Sequence, residues 1–582
     1  MLTALVRLHS ALQEVRLPLA LPGVEEQRAD RAELVTQLED YLIPRVTTMD
    51  GPLLAVVGGS TGAGKSTLVN SIVGRRVTES GVLRPTTRSP VLVHHPADAG
   101  WFGQDRLLPE LVRVDRPTND PAALQLVASD AVPHGLAVLD APDVDSVDAS
   151  NRALAAELLA AGDLWLFVTS AARYADQVPW ELLRQAAERS TSVAVVLDRT
   201  DPDDAGTVAT HLARMLASRG LKDCPLFTVP ETTLTDDGLL PPGAVDDLHA
   251  WLRALAADAD GRAAVAIRTV LGTIRTLGGR SHLLAGGVQA QIAAAARLRE
   301  SVAAAYAESV VAARAATADG TMVRGEVLAR WTEFVGSGEL LRSLEERVGW
   351  LRDRLLNAVR GRPQTAELVA RSVAVGLGSV LVEHAEVAAG RAAAAWRGDP
   401  AGVSLLAEAA ARGDDLGRAT PTARREAQAL AREWQDGLTR MVRAEGSDTR
   451  STTRYLTVGI DGLAVALSVV VLSQSGGTLA VESPSAAPGA GAVAQRLLDA
   501  VFGEQAVRSM ASRARGDLDR RVEALLTREG ARHQAVLDDL GLVPAAPEHL
   551  REAARRVDDL RFRSTRGTGG GHGDAVPARP TP

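Results

Sequence analysis

The sequence predicts an α/β domain with a doubly wound, mostly parallel sheet, joined to a large all-α helical bundle or stalk. Three observations predict it. Residues 51–235 alternate short apolar runs with helical patterns. A glycine-rich turn, Gly59 to Ser66, separates one such run from a helical segment. Beyond about Pro241 the chain becomes Ala-rich and studded with Arg and Glu, which favours long helices.

Six apolar runs are the expected strands: Leu53–Val57, Val91–Val93, Leu136–Leu139, Leu164–Val168, Val193–Leu197 and Leu226–Val229. Each is continuous rather than alternating, as a strand buried on both faces should be. Residues 1–50 read as N-terminal helices packing on the bundle, with Leu34, Leu38, Tyr41 and Leu42 on one face. The expected divisions are then 51–235 for the α/β domain and 236–450 for the bundle. An apolar hairpin or tip at 451–503, C-terminal helices at 504–562 and a Gly/Pro-rich disordered tail at 563–582 complete them.

Composition bounds the function. At 582 residues, 46% of them hydrophobic, the chain has material for two or three domains with sizeable cores. Aromatics are only 3%, so those cores rest on Ala, Leu and Val. The single cysteine, Cys224, excludes an internal disulfide framework and fits a reducing cytoplasm. Met1 to Leu21 carries no signal-peptide pattern. A net charge of −8 disfavours a general nucleic-acid binder.

Only two lysines occur, Lys65 and Lys222; elsewhere positive charge is arginine. Lys65 lies in Gly59-Ser60-Thr61-Gly62-Ala63-Gly64-Lys65-Ser66, followed by Thr67, which fits the G-x-x-x-x-G-K-[ST] phosphate loop at every fixed position. A compact ammonium on a flexible stem reaches β- and γ-phosphates through a ring of backbone N–H groups; a planar guanidinium is too wide. The preceding strand and following helix complete an anion site, because the helix N-terminus points donors and a dipole at the phosphates. These residues predict a bound nucleoside triphosphate.

Two later loops bear on the metal and the base. Asp140 ends the third apolar run, in Asp140-Ala141-Pro142-Asp143, where a Mg²⁺-associated carboxylate belongs. The fifth run leads into Asp198-Arg199-Thr200-Asp201. This loop resembles the Asn/Thr-Lys-x-Asp of GTPases, whose final Asp accepts from guanine N1–H and N2–H₂; adenine lacks that donor pair and would leave the carboxylate unpaired.

In order and spacing these segments resemble a translation-factor-class P-loop GTPase, and within that class a bacterial dynamin-like protein. The resemblance is carried by Gly59–Ser66, Thr87-Arg88-Ser89-Pro90, Asp140–Asp143 and Asp198–Asp201. Gly325–Trp331 and Leu497–Gly503 are similar to segments of actinobacterial members. It implies GTP and GDP as ligands, Mg²⁺ held by Ser66, Thr87 and Asp140, and the base met by Asp198, Arg199 and Asp201. Thr86 is the neighbouring alternative to Thr87. It also implies catalysis by Lys65, Ser66, Thr87 and Asp140, self-association or a sister GTPase, and a place in the cytoplasm or peripherally on the inner membrane face.

The sequence departs from that pattern in ways that matter. Gly62 stands where dynamins carry a serine that aids a catalytic water. Asp143 replaces the glycine of Asp-x-x-Gly, and Val144 stands where a water-orienting glutamine is found in Ras-type enzymes. Asp198 and Arg199 replace Asn/Thr and Lys, although Arg199 can still stack on a purine. Slow intrinsic hydrolysis is the expectation. Arg75, Arg76 and Arg88 flank the switch and are candidate charge-stabilising groups.

Leu463–Leu472 is apolar except for Ser468 and too short to span a bilayer. The wider stretch 456–496 reads either as a buried helical hairpin or as a membrane-dipping tip that contacts lipid; an oligomer contact is a third option. Leu472–Gly477 only faintly resembles an ABC signature, and is read as a turn. His94-His95, adjacent on a strand, point to opposite faces with no Cys/His spacing to complete a metal site. The leading expectation is a nucleotide-switched assembly or remodelling protein at the cytoplasmic membrane. The competing ones are a soluble Era-like GTPase acting on a protein or RNA partner, and a P-loop ATPase scaffold.

Overall fold

The computed structural model describes residues 1–79, 89–103, 107–146, 148–175, 177–188, 191–335, 363–448, 459–475, 478–479 and 489–568. Chain contacts divide it into two compact units: 1–17 with 23–289 and 543–582, and 18–22 with 290–542.

The first unit is built on an eight-stranded sheet. Its strands are β1 (Leu53–Gly59), β2 (Val91–His94), β3 (Val112–Val114), β4 (Ala123–Ala128), β5 (Leu136–Asp140), β6 (Leu164–Ser170), β7 (Ser192–Thr200) and β8 (Leu226–Pro230). They lie in the order β3-β4-β2-β5-β1-β6-β7-β8. Every neighbouring pair is parallel except β2 with β5, so β2, β3 and β4 run against the other five. The carboxyl ends of β1, β5, β6 and β7 therefore share one end of the sheet, where ligands of open α/β sheets bind. All six expected strands are present. β3 and β4 are additions, which the apolar-run criterion missed because Val112–Val114 is part-exposed and β4 is buried only in its first half.

β1, β5 and β6 are buried along their whole lengths, and the core beneath them is Val, Leu, Ile and Ala with Phe227 and Trp251. Leu34, Leu38, Tyr41 and Leu42 are buried as the helical face predicted. Contacts group these N-terminal helices with the sheet and not with 290–542. One reason is polar: Asp163, at the entry to β6, accepts from Arg45 Nε at 2.8 Å, Tyr41 Oη at 3.3 Å and Leu54 N at 2.9 Å. The same grouping keeps the helix Ala259–Ala316 with the sheet as far as Gln289, beyond the 235/236 boundary that the sequence suggested.

The second unit is helical, with helices at Glu326–Val335, Pro363–Arg397, Pro400–Ala411, Pro421–Asp448, Ile460–Leu472, Ala490–Phe502 and Glu504–Asp538. Trp331, Trp396 and Trp434 are buried in its core. The last two satisfy their indole N–H on the carbonyls of Leu298 and Ala514. Gly462–Leu472 is buried at every position, so the apolar run forms an interior helix that packs beside Ala490–Phe502. After Leu472 the chain makes a two-stranded ribbon, Gln474–Ser475 with Thr478–Leu479. Within the stretch 456–496, residues 456–458, 476–477 and 480–488 lie outside the described residues. The helix Ala546–Thr568 runs past 563, where the sequence placed the start of a tail; 569–582 lie outside the described residues.

Candidate nucleotide-binding site

The phosphate loop leaves the carboxyl end of β1, in the middle of the sheet, and enters the helix Lys65–Val73. Glycine is required on both sides of the turn. A Cβ at Gly59 would lie 1.9 Å from the Val168 carbonyl oxygen. Gly64 has φ +95°, and a Cβ there would meet a carboxylate oxygen of Asp198 at 2.0 Å.

Lys65 is buried, and its ammonium has three acceptors. Nζ donates to the carbonyls of Gly59 at 3.0 Å and Ser60 at 3.1 Å, and forms a short ion pair with Asp143. Those are the three donors an ammonium has. Asp143, the residue that replaces the usual glycine, thus places its own anion on the group that a phosphate needs.

Asp140 ends β5 fully buried. Its Oδ2 accepts from Ser66 Oγ and from Thr78 Oγ1, each at 2.8 Å. Burial raises its pKa, opposed by the two hydroxyls and by Lys65. Its Oδ1 is buried with no hydrogen-bond partner among the described residues. An orphaned carboxylate oxygen beside a serine hydroxyl is a hard-oxygen donor set, and it fits Mg²⁺. Thr87, Thr86 and Arg88 lie outside the described residues. The threonine that reaches Asp140 is Thr78, which sequence reasoning missed. Asn70 positions it: Oδ1 accepts from Val77 N at 2.7 Å and Thr78 N at 3.0 Å, while Nδ2 donates to Thr78 O at 2.9 Å.

Asp145 and Arg173 were also missed. Asp145 Oδ1 accepts from Thr61 N at 2.5 Å and Thr61 Oγ1 at 2.6 Å. Arg173, from the loop after β6, donates to the Thr61 carbonyl at 2.9 Å and to Asp145 Oδ2 at 3.2 Å. The only signal for Asp145 was its place in the acidic run after Asp140; nothing local marked Arg173. Val144 is buried, and Arg75 donates to the Ala128 carbonyl.

The base loop sits at the end of β7. Asp198 is buried, leans on Gly64, and accepts from Arg199 N at 2.9 Å through Oδ1. Burial raises its pKa. Arg199 has φ 51°, a conformation side-chain-bearing residues seldom adopt, and is exposed. Asp201 is exposed and accepts from Asp203 N at 3.0 Å. Four carboxylates, those of Asp140, Asp143, Asp145 and Asp198, therefore surround a loop built for anions, and Lys65, Arg173 and Arg199 are among the cations beside them.

No protein-family model and no curated protein matches the chain. Solved structures do. One is a chain of an oligomerised bacterial dynamin pair, described as providing a mechanism for long-range sensing and tethering of membranes. It is 9% identical over 94% of this chain and 92% of that one, with TM-score 0.42. A second structure of that pair is 10% identical over 92% of each chain, with TM-score 0.39. The bacterial dynamin GTPase LeoA from ETEC is 11% identical over 97% of this chain and 96% of that one, with TM-score 0.23. At such identities and TM-scores the likenesses carry no inference about residues or activity.

Proposed function

We propose that this chain binds guanine nucleotide with Mg²⁺ and hydrolyses GTP slowly, as a dynamin-like protein whose nucleotide state governs assembly or remodelling at the cytoplasmic face of a membrane. The carrying observation is the arrangement of Lys65 and Ser66 across from Asp140, at the central strands of the sheet. In this reading the N–H groups of the loop Gly59–Thr67 bind the phosphates, and Lys65 turns from Asp143 to the β- and γ-phosphates. Ser66 and Asp140 hold the cation, joined by Thr87 as the resemblance implies. When bound, the cation would neutralise phosphate charge. Asp201 accepts from guanine, Arg199 stacks on it, and Asp198 buttresses Gly64.

Nothing at Gly62 or Val144 orients an attacking water, so the isolated chain turns over slowly. A group supplied by a second GTPase domain can restore about 10³–10⁵ in rate. Turnover per molecule, followed across a wide protein concentration range with and without liposomes, tests this. It should rise with concentration or lipid; fast turnover at the lowest concentration, unchanged on assembly, would refute it.

The burial of Gly462–Leu472 favours a second reading, a soluble Era-like GTPase acting on a protein or RNA partner, because the run presents no apolar face in this conformation. The one helix among the described residues that is long and apolar enough to cross a membrane is Gln364–Arg397, with mean hydropathy 1.5 and a third of its apolar window buried. Liposome co-sedimentation separates the two readings. The ATPase-scaffold reading rests on the altered Asp198–Arg199 pair, and nucleotide competition tests it.

A further inference from the structure

Because β2 runs against β5, with His94 opposite Ala137, the carboxyl end of β2 abuts the amino end of β5. This is the end of the sheet opposite the phosphate loop. His94 faces the core, buried against Phe102 with ring centroids 5.4 Å apart. His95 follows on the other face, where Asp98, one turn along the short helix Pro96–Trp101, and His134, two residues before β5, meet it. One possible ligand atom from each of His95, Asp98 and His134 lies within 4.8 Å of the other two.

We propose that His95, Asp98 and His134 bind one divalent cation of the zinc class, at a site separate from the Mg²⁺ proposed beside Asp140.

Three details of the geometry carry this. Asp98 is 1% exposed, and its Oδ2 is fixed by Gly135 N at 2.8 Å. Its Oδ1 lies 2.7 Å from His134 Nδ1, yet makes no aligned hydrogen bond among the described residues. At 2.7 Å the two atoms stand at ion-pair distance, so His134 would have to move outward a little to share a cation with Asp98. A buried carboxylate oxygen also needs a positive partner.

The second detail is the tautomer of His95. Its Nδ1 accepts from Ala97 N at 3.1 Å, and its Nε2 faces Asp130 Oδ1 at 3.7 Å. In the neutral ring the proton then sits on Nε2, towards Asp130, and the lone pair on Nδ1. At 3.7 Å Asp130 is too far to hydrogen-bond Nε2 and offers only its charge on that side of the ring. Coordination through Nδ1 would exchange the Ala97 hydrogen bond for a metal bond. Third, the His134 side chain is 68% exposed, so it can settle on a cation without repacking the core.

The donor set selects the ion. Two imidazoles and one carboxylate suit Zn²⁺, Co²⁺ or Ni²⁺, whereas Mg²⁺ and Ca²⁺ prefer oxygen throughout. Three protein ligands leave a coordination position open to water or to a group from outside the chain.

The alternative is a plain ion pair between protonated His134 and Asp98, and metal titration separates the two. Full-length protein without a histidine tag is stripped with chelator, dialysed into excess Mg²⁺ to saturate hard-oxygen sites, and titrated with Zn²⁺ by calorimetry. Co²⁺ is titrated in parallel by visible absorption. The proposal expects one equivalent of Zn²⁺ and ligand-field bands for Co²⁺. It expects His134→Ala and Asp98→Asn each to weaken binding about tenfold or more, with GDP binding unchanged and the Lys65→Ala protein still binding Zn²⁺. His134→Ala changes an exposed residue, so its fold should survive, as circular dichroism would verify. No stoichiometric Zn²⁺ binding by the wild-type protein, or equal affinity in folded His134→Ala, would overturn the proposal.

Discussion

The ammonium of Lys65 is paired with the carboxylate of Asp143, 78 residues further along the chain. With the carbonyls of Gly59 and Ser60 it fills the ammonium's donor capacity, so a phosphate must displace an internal anion. Asp143→Asn should therefore bind GDP and non-hydrolysable GTP more tightly. Hydrogen bonds to charged groups are worth about 1.5–3 kcal/mol, so the gain should be about 10–100-fold, read from fluorescent-nucleotide titration. Weaker binding by a folded Asp143→Asn protein would mean that the carboxylate assists the nucleotide.

Asp201 is the residue that would distinguish guanine from adenine. Asp201→Asn should reduce the preference for GTP over ATP by about 10–100-fold, on the same energy scale. Competition of each nucleotide against labelled GDP measures it. Equal competition by ATP in the wild-type protein would transfer the chain to the ATPase reading.

The Arg45–Asp163 pair is buried on both sides, with side-chain exposures of 6% and 2%. Arg45→Ala leaves the carboxylate facing only Tyr41 and Leu54 N. Breaking a buried pair in this way costs about 3–5 kcal/mol. Urea unfolding should show a loss of that size, and a change under about 1 kcal/mol would mean that water or rearrangement replaces the arginine.

His533 gives the helical unit a pH dependence. It is fully buried, its Nε2 lies 3.1 Å from the Leu416 carbonyl, and its ring packs edge-on to Trp396 and Tyr306. Burial, with the Arg532 charge beside it, lowers its pKa from 6.5 to about 4. Between those values the unfolded chain binds the extra proton and the folded chain does not. Stability from this group is complete above about pH 6.5 and is lost as pH falls to about 4, by roughly 3 kcal/mol in all. Urea midpoints from pH 7 to pH 4.5 should fall for the wild-type protein and fall less for His533→Asn. Identical slopes would exclude this histidine as the source.

The parts of the fold legible in the sequence are those that one stretch of residues specifies alone. Six strands were continuous apolar runs, and the phosphate loop carries its own spacing. β3 and β4 lie at the sheet edge, where part-exposed residues such as Arg113 blur the run. Contacts between distant residues leave no local trace. Asp143 on Lys65, Arg173 on Thr61, Thr78 on Asp140 and His134 beside Asp98 depend on strand order, which no spacing encodes. The run Leu463–Leu472 had an ambiguity of another kind, because uniform apolarity suits a protein core as well as a lipid surface; burial against Ala490–Phe502 decides for the core in this conformation.

The hydrolysis and assembly proposed for this chain depend on guanine-nucleotide binding by the loop around Lys65. Calorimetric titration of the full chain with GDP in Mg²⁺, beside the same titration of Lys65→Ala, tests it most directly. One equivalent of GDP should bind the wild-type protein and be displaced by GTP far better than by ATP, with no detectable binding to a Lys65→Ala protein whose circular dichroism spectrum is unchanged. Absence of nucleotide binding by the folded wild-type protein, or undiminished binding by Lys65→Ala, would contradict it.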